Sequence, residues 1–203
     1  MKIICVGRNY ADHAKELNND IPKVPVIFMK PKGAILLPGK PLYYPEFTDD
    51  LQYECEVVVR IIKNGKHIQE KFAHKYYGDV TLGIDFTARD VQREQQKQGL
   101  PWEIAKAFDG SAAVGSFVPI TPETNVHNLA FQLKRNGETV QDGHTRNMIF
   151  TIDQIIAYVS EFFTINIGDL IFTGTPAGVG PVNAGDVLEG YLQGNKVLEA
   201  EVR

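Results

Sequence analysis

Two glutamates flank one cysteine at Glu54-Cys55-Glu56, inside the strand-like run from Tyr53 to Ile62. Side chains two apart on a strand point the same way. The spacing therefore predicts Glu54 and Glu56 on one face and Cys55, Val57, Val59 and Ile61 on the other. Two neighbouring carboxylates in an apolar strand repel each other and resist desolvation. A divalent cation would compensate them; a solvated edge strand is the plain alternative. The continuation Val57-Val58-Val59 speaks for burial, because strands this apolar are usually covered on both faces. A third carboxylate, Asp85, closes the run Val80–Asp85 directly before a helix start, where it can project into a cleft or simply support a turn. With oxygen ligands and no thiolate or imidazole pair nearby, Mg2+ or Mn2+ is favoured over Zn2+, and Ca2+ is an option in crystals.

Other groups that could do chemistry lie along the chain. Lys106 sits among apolar neighbours in Trp102–Phe108, a setting that lowers a lysine pKa or pairs it with a carboxylate. His13 and Glu16 are spaced to touch on a short helix, and a carboxylate that orients an imidazole makes a workable general base. Arg89 and Gln92 share a helical face in the same way. The segment Thr173-Gly174-Thr175-Pro176-Ala177-Gly178-Val179-Gly180 follows an apolar strand and offers hydroxyls and backbone N–H groups to a carboxylate. No Gly-Lys-Ser/Thr follows it, so it is not a nucleotide-phosphate loop.

Strand and hairpin signals outnumber helical ones among the elements that must hold these groups. Asn64-Gly65, Asn136-Gly137 and Gly194-Asn195 each read as a hairpin turn between extended segments. Thr87-Ala88-Arg89-Asp90 reads as a capping box opening a helix that runs to about Gln98 and stops at Gly99-Leu100-Pro101. Thr151-Ile152-Asp153-Gln154 opens a second helix, with an apolar stripe of Ile152, Ile155, Ile156, Val159 and Phe162 or Phe163. A third, Tyr10 to about Leu17, would take Asn9 as its cap. Hairpins without regular βα alternation predict an α+β architecture, predominantly β. Residues 1–45 are expected as an N-terminal extension and 46–203 as the catalytic β-rich domain, together one structural unit.

The 203 residues are 43% hydrophobic and 23% charged, with net charge −4. That balance carries no footprint for nucleic acid or anionic membranes. The two cysteines, Cys5 and Cys55, lie in apolar runs and read as buried free thiols. No run approaches transmembrane length and no targeting segment is legible, so the cytoplasm is the expected compartment.

Taken in order, Gly7-Arg8-Asn9-Tyr10 with His13 and Glu16, Phe28-Met29-Lys30-Pro31, Glu54-x-Glu56, Asp85–Gln92, Gly99–Trp102, Lys106 and Thr173–Gly180 resemble the fumarylacetoacetate hydrolase family, over nearly the whole chain. Within it the chain is most similar to the short acylpyruvase and oxaloacetate decarboxylase subgroup. The resemblance implies a mixed β-roll or sandwich of the type seen in that family's C-terminal domain. It implies Mg2+ or Mn2+ on Glu54, Glu56 and Asp85, and a His13–Glu16 dyad on a lid of about residues 9–24. Lys106, Arg89 and Gln92 would face substrate, and Thr173, Gly174 and Thr175 would receive its carboxylate. The segment Phe108–Phe117 departs from many relatives, which leaves selectivity for the substrate side chain open. The expected activity is hydrolysis of C–C bonds in small 2,4-diketo acids, the acylpyruvates, through a metal-stabilised pyruvate enolate. Oxaloacetate decarboxylation, or isomerisation and tautomerisation of a 2-hydroxy-dienoate, would use the same enolate. A non-catalytic metal-binding homodimer is the alternative from another class.

A homodimer is expected for the enzyme as well, through apolar residues around Phe117, Val118 and Ile120. Light scattering at micromolar protein should give about twice the mass of one chain; the mass of one chain alone would contradict it.

Overall fold

The computed structural model describes residues 1–16 and 20–203; the end of the expected first helix at Leu17 and the part of the expected lid at 17–19 lie outside them. The main sheet runs in the order β2 (Val26–Lys30), β1 (Ile3–Gly7), β11 (Leu170–Phe172), β4 (Cys55–Ile61), β5 (Tyr77–Asp85) and β7 (Ala112–Val114), with β8 (Val118–Pro119) also on β5. All its neighbours are antiparallel except β1 and β11, which run parallel. A second sheet orders β10 (Glu138–His144), β9 (Ala130–Arg135), β13 (Val187–Leu192) and β14 (Asn195–Glu201). A small third sheet joins β12 (Gly180–Pro181), β3 (Leu51–Tyr53) and β6 (Thr87–Ala88). The helices are α1 (Ala11–Glu16), α2 (Glu70–Ala73), α3 (Arg89–Gln98), α4 (Glu103–Lys106) and α5 (Ile152–Phe162). The chain is thus α+β and strand-dominated, as its hairpin signals require.

Alternation along β4 divides the core. Cys55, Val57, Val59 and Ile61 face a large cluster that includes Ile152, Ile155, Ile156 and Val159 of α5 and Leu188 and Leu198 of the second sheet. Val58 faces a smaller cluster with Ile3, Cys5 and Phe172. Each buried Ile or Val on the α5 stripe contributes roughly 1.5–3 kcal/mol relative to exposure. The stripe ends at Val159, because Phe162 and Phe163 are exposed. The capping box at Thr151 and Gln154 is present on both sides. Within residues 1–45, β1 and β2 are two strands of the main sheet.

Two hairpins form as their turn residues dictate. Asn136 and Gly137 take positive φ, the geometry of a primed turn, and so do Gln193 and Gly194, one residue earlier than the expected Gly194-Asn195. Asn64-Gly65 makes no hairpin; Gly65 pairs instead with Ile165. A Cβ on Gly65 would lie 2.4 Å from the Tyr76 ring, so this glycine serves close packing, not a turn. The capping box expected at Thr87 is also absent, since α3 begins without a side-chain cap.

Gly115 couples the main sheet to the second. Its N–H donates to the Leu82 carbonyl, and the next residue's N–H donates to the Val197 carbonyl at 2.7 Å. A Cβ there would sit 2.5 Å from the Val197 carbonyl oxygen. Gly115→Ala should therefore destabilise the fold by roughly 1–3 kcal/mol, as overpacking does. Gly33→Ala, with its nearest neighbour at 3.8 Å, should change stability by about 0.5 kcal/mol or less. Equal melting temperatures for the two variants would contradict this reading.

Candidate metal centre and active site

The strand-like run that carries the two glutamates is broken at Glu54. β3 belongs to the small sheet and β4 to the main sheet, and Glu54 is the hinge between them. Its carbonyl accepts from the Asp85 N–H at 2.8 Å, while the Cys55 N–H turns aside to Gln141 Oε1 at 2.9 Å. Glu56 lies opposite Gly83 on β5, and Asp85 ends that strand. Carboxylate oxygens from Glu54, Glu56 and Asp85 come within 4.8 Å of one another. The three residues are only 5%, 2% and 1% exposed.

Three buried cations answer the three carboxylates. Lys106 Nζ donates to Glu54 Oε2 at 2.9 Å, Asp85 Oδ2 at 2.9 Å and Thr87 Oγ1 at 2.6 Å. Lys30 Nζ lies 2.8 Å from Asp85 Oδ1 and donates to the Lys106 carbonyl and to Ser111. Arg89 donates from Nη2 to Glu54 Oε1, from Nη1 to Gln92 Oε1 and from Nε to Gln52 Oε1. Burial alone would raise the Glu54 pKa, yet Lys106 and Arg89 outweigh it and hold the carboxyl well below its usual range. Burial would likewise lower Lys106, but Asp85 and Glu54 keep its ammonium above the ordinary lysine value. Glu56 is the under-compensated member. Burial, then Asp85 and Glu54, push its pKa well up, and the Gly174 N–H at 2.7 Å offsets only part of this. A buried, oxygen-only set with one carboxyl short of positive charge fits a hard divalent cation.

The other groups converge on the same cleft. His13 on α1 is buried, and its Nδ1 lies 3.3 Å from Glu16 Oε2. Glu16 in turn accepts from the Gly178 N–H at 3.1 and 3.3 Å, which docks α1 onto the glycine-rich loop. Asn9 is not a helix cap. Its amide donates to the Phe150 and Thr173 carbonyls and accepts from the Phe150 N–H, tying the end of β1 to that loop. The loop's own donors are largely committed to the protein. Thr173 Oγ1 donates to the Val57 carbonyl, Thr175 Oγ1 to the Cys55 carbonyl, and Gly174 N–H to Glu56. Gly174 has φ +97°, and a Cβ would lie 2.7 Å from Asn9 Cβ. A narrow cavity of about 40 Å3 opens over the triad; His13, Gln92, Arg89, Lys106 and Thr175 all line it.

Lys30, Thr87 and Gln141 complete the contacts around the triad: Thr87, expected as a helix cap, accepts from Lys106 instead, and no spacing singles out the other two. Gln141 holds the peptide between the two glutamates, accepting from Cys55 N–H and donating to Thr175 Oγ1 and the Pro176 carbonyl. Lys30 followed an apolar strand pattern that gives no sign of a buried charge. Among the described residues, no helix is long and apolar enough to cross a membrane.

A divalent cation at 100 times its Kd should add about 2.7 kcal/mol of stability by mass action. Thermal melts with Mn2+ should therefore shift upward, and Glu56→Gln should remove the shift. An equal shift in that variant would place the ion elsewhere.

Three comparisons bear on identity. The family model described as fumarylacetoacetate (FAA) hydrolase C-terminal matches residues 2–203. The human protein named oxaloacetate tautomerase FAHD1, mitochondrial, is 45% identical over 192 residues, 95% of this chain and 87% of its own length. The Arabidopsis thaliana protein of the same name is 40% identical over 201 residues, 99% of this chain and 90% of its own. A crystal structure of fumarylpyruvate hydrolase from Pseudomonas aeruginosa with Mn2+ and pyruvate superimposes with TM-score 0.93 at 36% identity, covering 100% of this chain and 89% of that one. The chain belongs to the fumarylacetoacetate hydrolase family.

Proposed function

We propose that the chain performs enolate chemistry on small 2-keto diacids, with interconversion of the keto and enol forms of oxaloacetate as its leading activity. The observation that carries this is one cavity shared by a buried acidic triad, a lysine held in its charged form and a buried imidazole. The names of relatives 40–46% identical across most of the chain support it. In this tautomerisation the C3–H bond breaks, its electron pair forms the C2–C3 double bond, the π pair of the C2 carbonyl passes to its oxygen, and that oxygen gains a proton. Mg2+ or Mn2+ on Glu54, Glu56 and Asp85 would supply Lewis-acid stabilisation of the charge that develops there.

The chain's own groups divide the rest. Asp85 and Glu54 keep Lys106 protonated, so it contributes fixed positive charge rather than a free amine. His13 has Nδ1 turned to Glu16, which leaves Nε2 to carry the C3 proton away and return it. The contact of Glu16 with Gly178 holds α1, and hence the imidazole, over the cleft. We propose the cytosol as the compartment and a homodimer as the assembly; the human relative is named as mitochondrial.

Acylpyruvate hydrolysis is the second reading. The His13–Glu16 contact favours it, because the same dyad could activate a water, and so does the likeness to a fumarylpyruvate hydrolase. Three assays on one preparation with saturating Mg2+ separate the readings: enol-to-keto conversion of oxaloacetate, its decarboxylation, and cleavage of acetylpyruvate. Tautomerisation should be fastest, and Glu54→Ala should abolish all three. His13→Ala should cut tautomerisation and cleavage by roughly the 10²–10⁴ of a lost general base, and decarboxylation less, since loss of CO2 needs no base at C3. Faster cleavage than tautomerisation in the wild type would hand the site to hydrolysis. An equal loss in all three for His13→Ala would make His13 a fastener of α1.

A further inference from the structure

The cavity holds a cation whose charge no group among the described residues answers. Lys30, Lys106 and Arg89 are each paired with the acidic triad, three cations against three carboxylates. Arg8 lines the same cavity, half-buried, yet among the described residues its guanidinium has no ion pair or hydrogen bond. Phe28 and Trp102, which share that wall with ring centroids 5.8 Å apart, offer it no charge.

The backbone at Arg8 is strained as well. Its φ is +60°, in the left-handed region that non-glycine residues seldom occupy. The neighbours on both sides impose it. Gly7 is paired with Val26 at the end of β1, and Asn9 is locked to Phe150 and Thr173. Strain of this kind persists where the surrounding structure over-determines it, and such positions cluster at ligand clamps. A glycine would relieve the strain, whereas an arginine adds a planar fork that matches a carboxylate with two parallel N–H donors.

We infer that Arg8 is a specificity-determining residue: it receives the distal carboxylate of a 2-keto diacid and so selects such substrates over keto acids with a neutral tail. This rests on the keto-acid reading of the site and names its substrate class. The pyruvate-like end of the ligand lies at the triad and Lys106, and the second acidic group lies at Arg8, the one cavity cation without a counter-charge among the described residues.

The test uses the full chain loaded with Mn2+ and calorimetric titration with two non-reacting ligands. Oxalate mimics only the end that meets the triad; 2-oxoglutarate adds a distal carboxylate. In Arg8→Gly, whose backbone accepts a φ of +60° without strain, the Kd for 2-oxoglutarate should rise at least tenfold more than the Kd for oxalate. Arg8→Lys, which keeps the charge and loses the fork, should recover part of that discrimination. Equal weakening of both ligands, or no change in either, would overturn the assignment of Arg8 alone. So would a wild type that binds oxalate and not 2-oxoglutarate. A wild type that binds neither would overturn the keto-acid reading of the site, and this assignment with it.

Discussion

Three carboxylates share a water-poor pocket, and most of the surrounding structure exists to make that tolerable. Removing charged groups from water costs several kcal/mol per ion even after relaxation, and the cost is recovered only with good geometry and full hydrogen bonding. The chain meets it with Lys30 from β2, Lys106 from the end of α4 and Arg89 from the start of α3. These elements belong to different parts of the fold, so the charge cluster also fixes how they pack. Lys30 illustrates the economy: one ammonium holds Asp85 and also the Lys106 carbonyl and Ser111, stapling α4 to the edge of the main sheet.

The compensation is uneven, and the unevenness is chemically useful. Glu54 has two cations and stays ionised, whereas Glu56 has one backbone N–H and two carboxylate neighbours. A site balanced everywhere would have little affinity for a cation. One short of charge at Glu56 suits a hard divalent cation, and the Gly174 N–H of the glycine-rich loop positions that carboxylate. Gln141 and Thr175 hold the Cys55 peptide from both sides, so the separation of Glu54 and Glu56 is set by the second sheet and the loop together.

The parts of the site that were legible in sequence owe this to strong local rules. Glu54, Glu56 and Asp85 stood out because carboxylates interrupt apolar strands, and His13 with Glu16 because of their helical spacing. The hairpin at Asn136-Gly137 was legible because its turn requires positive φ, and the one read at Gly194-Asn195 turns one residue earlier, at Gln193-Gly194. Gly65 misled, since glycine serves close approach as readily as turns. Thr87 misled because its hydroxyl accepts from Lys106, a residue nineteen positions away, instead of capping α3. Lys30 and Gln141 were silent for the same reason: their roles depend on partners brought together only by sheet pairing. Strand alternation said nothing about Glu54 as a hinge, which arises from a change of sheet and not from periodicity.

The central claim is that this charge cluster is a cation site that presents a keto acid to Lys106 and His13. A crystal grown with Mn2+ and oxalate, measured for anomalous scattering, tests it most directly. The account predicts one dominant peak per chain among Glu54, Glu56 and Asp85, roughly 2.0–2.6 Å from an oxygen of each, with oxalate completing its coordination on the side of Lys106. A peak on surface carboxylates with the triad left closed on its lysines would contradict it.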